Sequence, residues 1–116
     1  MEKTLTIDNR EVTFKSTAAT PLRYKAQFGR DYFADILKMN ALTEVNLESD
    51  KIDYEKLKYL DFETFYNLLW VMAKTKDSSV PDPITWLDTF DEFPLMEILP
   101  EIQELIMKNL GEVKKK

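Results

Sequence analysis

T-L-T-I-D-N-R-E-V-T-F-K, residues 4–15, alternates apolar and polar side chains on both sides of a polar centre. Leu5 and Ile7 alternate with Thr4 and Thr6, and Val12 and Phe14 alternate with Thr13 and Lys15, the period-two pattern of two half-buried strands. Pairing Ile7 with Val12 and Leu5 with Phe14 puts all four apolar side chains on one face. The turn then falls at Asn9-Arg10, flanked by Asp8 and Glu11. A one-residue slip would mix the faces, so the facing of the strands is firmly specified. A lone hairpin is not stable in water, so its apolar face must lie on helices or on another subunit.

Helical spacing follows. Thr20 and Pro21 form a helix start, because threonine can cap free N–H groups and proline fits the first helical position. The helix continues through Leu22, Tyr24, Lys25 and Phe28. Gly29 either stops it in the left-handed conformation or is carried through it, and Asp31 can cap a second segment bearing Tyr32, Phe33, Ile36, Leu37 and Met39. Residues 40–53 show no sustained period and read as a connector. Asp61 to Lys74 gives the strongest helix, capped by Asp61, with Phe62, Phe65, Leu68, Leu69 and Met72 on one stripe and Tyr66 and Trp70 on a second. So wide an apolar circumference belongs at the centre of a domain. Tyr54, Leu57 and Leu60 before it form a short helix of their own or extend it. Beyond a loop at residues 77–83, Asp82 can cap a short helix with Ile84, Trp86, Leu87 and Phe90. Leu95, Ile98, Leu99, Ile102, Leu105, Ile106 and Leu110 follow the i, i+3, i+4 rule up to Gly111, with Pro100 expected to kink or split the helix.

The fold expected from these patterns is α+β and predominantly α-helical. A β-hairpin (1–16) precedes four to five helices (20–111) in one small domain, and a polar tail (112–116) ends the chain. With 116 residues, 44% of them hydrophobic, a modest core can form. No apolar run approaches the roughly eighteen residues needed to cross a bilayer, and no apolar signal core follows Met1, so the chain reads as cytosolic. Cysteine is absent, which excludes disulfides and thiolate chemistry, and histidine is absent, which removes the usual general base. Two glycines, Gly29 and Gly111, cannot build a phosphate-cradling loop. No catalytic residue, cofactor or metal ligand is assigned.

The net charge of −5 conceals an asymmetry. Asp77, Asp82, Asp88, Asp91, Glu92, Glu97, Glu101 and Glu104 follow one another with no Lys or Arg between them, whereas Lys3, Arg10, Lys15, Arg23, Lys25 and Arg30 outnumber the acids of residues 1–30. Opposed charged ends suit head-to-tail self-association or a basic partner and disfavour tight nucleic-acid binding; the alternative is two solvated faces. Asp88, Asp91 and Glu92 lack the alternating acids and central glycine of a Ca²⁺ loop, which favours a solvated or capping role. Glu97 and Glu101, four apart, suit an exposed helix face. Trp86, Phe90 and Phe93 form either a partner-anchoring patch or, as packing favours, part of the core. Met96 and Met107 lie off the main stripe of the last helix, where methionine serves an adaptable partner surface or a peripheral core equally well. The candidate partner-binding residues are therefore Arg23, Lys25, Trp86, Phe90, Met96, Glu97, Glu101 and Met107.

Several strings resemble one family. Ile7-Asp8-Asn9-Arg10-Glu11-Val12-Thr13-Phe14 is similar to an I-D-G-K-E-V-x-F hairpin, with Asn9 where glycine is common. Ala19-Thr20-Pro21 and the Y-x-x-x-F-G-R-D run from Tyr24 to Asp31 follow. Val71-Met72-Ala73-Lys74 closes the central helix, and Trp86 to Phe90 gives a proline-flanked W-L-D-x-F segment. In this order the chain resembles the tail assembly chaperones of long-tailed phages and prophages of Gram-positive bacteria, over nearly its whole length except residues 40–53. The resemblance implies a non-enzymatic protein of the host bacterial cytoplasm, absent from the mature virion. It would bind the tape measure protein, keep it soluble and help recruit tail tube subunits. In this family a frameshifted longer product is common, and Lys114-Lys115-Lys116 is compatible with an A-rich slippery site. The alternative from another class is a small phage-encoded regulatory protein that binds a host protein.

Overall fold

A computed structural model of the chain describes residues 1–43 and 62–108. Strands β1 (Glu2–Ile7) and β2 (Arg10–Lys15) form an antiparallel hairpin. Helices α1 (Thr20–Phe28), α2 (Tyr32–Thr43), α3 (Phe62–Lys76), α4 (Pro83–Leu87) and α5 (Leu95–Lys108) follow. The α+β, mainly helical architecture expected from the sequence is the one observed.

The hairpin register differs from the expected one by two residues. Leu5 pairs with Val12, Ile7 with Arg10 and Lys3 with Phe14. The turn is Asp8-Asn9, with φ of 53° and 63°. Two successive left-handed residues are what a tight hairpin turn requires, and Asp and Asn tolerate that conformation where Arg does not. A shift of two preserves facing, so Leu5, Ile7, Val12 and Phe14 still share one face, with Lys3 and Arg10 at its ends, Arg10 now in the strand and not in the turn. Both are used. Arg10 lies 3.7 Å over the Phe90 ring and donates to Thr89 Oγ1 at 3.0 Å. Lys3 pairs with Glu101 at 3.1 Å, and Asp8 Oδ2 accepts from the Asp91 backbone N–H at 3.0 Å. The basic start of the chain thus closes on the acidic C-terminal half of the same molecule. Because the Arg10 guanidinium is partly hydrated, Arg10→Ala is expected to cost only about 1 kcal/mol, read as a small drop in the urea midpoint.

Helix α3 is the hub. Phe65, Leu68, Val71, Met72 and Ala73 are buried on it, and β2, α1, α2, α4 and α5 all pack against it. Phe14, fully buried, joins the hairpin to this hub in one continuous core with Ile102, Leu105 and Ile106 of α5. That burial is what stabilises a sheet which, among the described residues, has two strands.

Several local expectations change. Thr20 does not cap forward: its hydroxyl accepts from the Thr17 N–H at 2.9 Å, and the N-cap position is Ala19, without a side-chain bond. Thr20 is fully buried, so its hydroxyl fastens the chain entering the helix instead. Gly29, left open by the sequence, does stop α1, at φ 67° with its N–H on the Lys25 carbonyl at 2.8 Å. Asp31 caps α2 through the Ala34 N–H at 2.8 Å. Helix α2 runs on to Thr43, so residues 40–43 are helical, not connector. Helix α5 is not split by Pro100. Proline removes the bond to the Met96 carbonyl, and Met96 and Pro100 both lie on the exposed side, where water can hydrate that carbonyl. The Asp61 cap, the Tyr54–Leu57–Leu60 segment, Leu110, Gly111 and the tail lie outside the described residues. Among the described residues, no helix is long and apolar enough to cross a membrane.

Candidate functional site

The Y-x-x-x-F-G-R-D string builds a buried polar node. The αL turn at Gly29 sends the chain back so that Arg30 faces the first turn of α2, where Asp35 is almost fully buried. Arg30 Nε and Nη2 donate to Asp35 Oδ2 and Oδ1, each at 2.9 Å, and the Tyr24 hydroxyl donates to Oδ2 at 2.5 Å. Burial, and secondly the hydrogen bond to Asp35, pushes the Tyr24 hydroxyl well above the ordinary tyrosine range. A carboxylate answered by a bidentate guanidinium and a phenol is a fixed joint between α1 and α2, not a poised acid or base.

Trp86 and Phe90 are turned inward. Their rings meet edge to face at 5.3 Å, and Phe93 packs edge-on against both, at 5.6 Å from Trp86 and 5.2 Å from Phe90. Both belong to the core, so in this conformation neither offers a ring to a partner. Asp82 caps α4, accepting from Thr85 N–H at 3.2 Å and Thr85 Oγ1 at 2.6 Å, and these bonds hold its carboxyl below the usual range.

The other candidates separate into two surfaces. Arg23 and Lys25 are exposed on α1. On α5, Met96, Glu97, Pro100, Glu101 and Glu104 are exposed and form an acidic outer stripe, with Glu101 already paired to Lys3. Met107 lies on the same helix, its side chain outside the described residues. Among the described residues, no group of three or more acidic side chains is placed to hold a metal ion.

The apolar concavities lie between helices, and one of them reaches the start of the α5 outer stripe at Met96 and Glu97. One groove, with a volume of about 670 Å³, runs between α1, α3 and α4 and is lined by Phe28, Tyr66, Ile84 and Leu87, with Glu63 and Asp82 among its polar lining. A second, of about 400 Å³, shares Tyr66 and continues past Phe62 to Pro94, Met96 and Glu97. Among the described residues, neither lining contains a Lys or Arg. No family model, curated protein or solved structure matches this chain. What the geometry offers is apolar contact beneath a carboxylate rim, a binding surface suited to an amphipathic, basic counterpart. Sequence periodicity placed Ile84 and Tyr66 on helices but did not bring them together. The available signal was a large aliphatic residue, Ile84, directly after a capped proline start, where the short helix has no second turn to cover it.

Proposed function

We propose that this chain is a tail assembly chaperone that binds the helical tape measure protein of a long-tailed phage or prophage. It keeps that protein soluble in the host cytoplasm while tail tube subunits are recruited, and it leaves before the virion is complete. The observation that carries the reading is the order of the family-like strings along the chain, each of which sits at a turn, a cap or a packing node. Ile7 to Phe14 forms the hairpin and its turn, Ala19-Thr20-Pro21 starts α1, Arg30 grips Asp35, and Trp86 and Phe90 fill the aromatic cluster. A tape measure protein presents long amphipathic helices, and the partner-facing surface in this reading is the acidic stripe of α5 with the adjoining concavity at Phe62 and Met96.

The test is co-expression with the protein encoded by the long coiled-coil gene expected immediately downstream. Parent chain should keep that protein soluble and co-purify with it. Reversing Glu97 and Glu101 to lysine should reduce the co-purified yield and its sensitivity to salt, because surface charges act on encounter and affinity more than on folding. Retention of the partner by the reversed variant at the parent's level removes α5 as the binding face. Failure of the parent itself removes the chaperone reading.

A further inference from the structure

The two most exposed large apolar side chains among the described residues are Leu22, 74% exposed, and Ile84, 73% exposed. They stand on surfaces of opposite shape and charge. On α1, Thr20, Tyr24 and Phe28 face inward, so residues 22 and 26 point away from the core and residues 23 and 25 flank them. The outward face of α1 is therefore an apolar ridge, Leu22 and Ala26, with a cation on each side, Arg23 and Lys25. Ile84 stands at the mouth of the groove floored by Tyr66 and Leu87, whose polar lining includes the Asp82 carboxylate and, among the described residues, no cation. The capping bonds to Thr85 hold the Asp82 carboxyl below the usual range.

We propose that the groove between α1, α3 and α4 receives the Leu22 ridge of a second copy of this chain. Leu22 packs beside Ile84, and Arg23 and Lys25 approach Asp82. Neither surface complements itself, since ridge against ridge opposes cations and groove against groove opposes carboxylates. The contact is heterologous, and repetition builds a row or a ring, not a closed two-fold dimer. These two surfaces support self-association whatever the tape measure experiment returns.

Sedimentation velocity of the parent over a wide concentration range tests it. A ladder of dimers, trimers and larger species that shifts toward monomer as salt rises is expected. Leu22→Glu and Ile84→Glu each alter a residue already in water, and glutamate suits the first turn of α4, so both variants should keep the parent's circular dichroism. Each alone should weaken association by about a hundredfold or more, through an anion against an acidic groove or a carboxylate at its apolar mouth. Mixed in equal amounts, they should form a one-to-one dimer and nothing larger, because one copy retains only its groove and the other only its ridge. A parent that stays monomeric overturns the proposal, as does a mixture that stays monomeric or a single variant that still assembles. If the monomeric parent instead binds a foreign basic helix and Ile84→Glu abolishes that binding, the groove's occupant is not a second copy.

Discussion

Phe14→Ala is expected to lower the unfolding free energy by about 4 kcal/mol, toward the upper end of what truncating one core side chain costs. Phe14 has no exposed surface, and it is the β2 residue that seats the hairpin on α3. Truncation removes the transfer contribution of the ring and leaves a cavity between strand and helix, where the backbone is held by the Lys3 pairing and cannot collapse inward. The secondary loss matters as much. A hairpin without its packing face has no independent stability, so the Arg10–Phe90 and Lys3–Glu101 contacts loosen with it. Denaturant titration followed by circular dichroism reads the change directly. A loss under about 1 kcal/mol would mean that the hairpin does not depend on this docking. Leu5→Ala, at a half-buried position on the same face, should lose clearly less.

Asp35→Ala is expected to lose about 3 kcal/mol. The Tyr24 hydroxyl, with no exposure to water, would keep a donor without its acceptor, whereas Arg30 is partly exposed and would recover hydration. Asp35→Asn keeps one acceptor and should lose less, and Tyr24→Phe, which removes the donor instead of orphaning it, about 1 kcal/mol. The same node gives a pH dependence with a definite sign. Burial and the bond to Asp35 raise the Tyr24 pKa in the folded state, so its contribution is fully present below the unfolded tyrosine pKa of about 10 and is lost as pH rises beyond it. Parent protein should therefore lose stability in alkali that Tyr24→Phe does not lose. Parallel alkaline profiles for the two would remove Tyr24 as the responsible group.

Periodicity carried much of this structure in the sequence. The apolar faces of both strands, the central position of α3, the caps at Asp31 and Asp82 and the buried stripe of α5 all follow from spacing within short windows. Where windows failed, a competing local energy or a distant partner decided. Two registers of the hairpin put the same four residues inward, and only the cost of left-handed φ at arginine separates them. Thr20 had two backbone partners to choose from, and burial of its side chain favoured Thr17. The groove was not legible at all, because Phe28, Tyr66 and Ile84 are brought together by the packing of three helices. For the same reason Trp86 and Phe90, candidates for a partner patch, are spent on Phe93 and Arg10. The charge asymmetry was visible, but part of it is consumed within the monomer through Lys3 and Glu101, which leaves Arg23 and Lys25 as the basic ridge on α1.

The most direct measurement is the solubility and mass of the tape measure protein expressed with and without this chain. Alone, that protein should pellet. Co-expressed, it should remain in the supernatant and elute as a complex whose mass, by light scattering, corresponds to several copies of this chain on each tape measure molecule. A tape measure protein that is equally soluble without the chain, or that pellets while the chain stays free in the supernatant, would contradict the chaperone function.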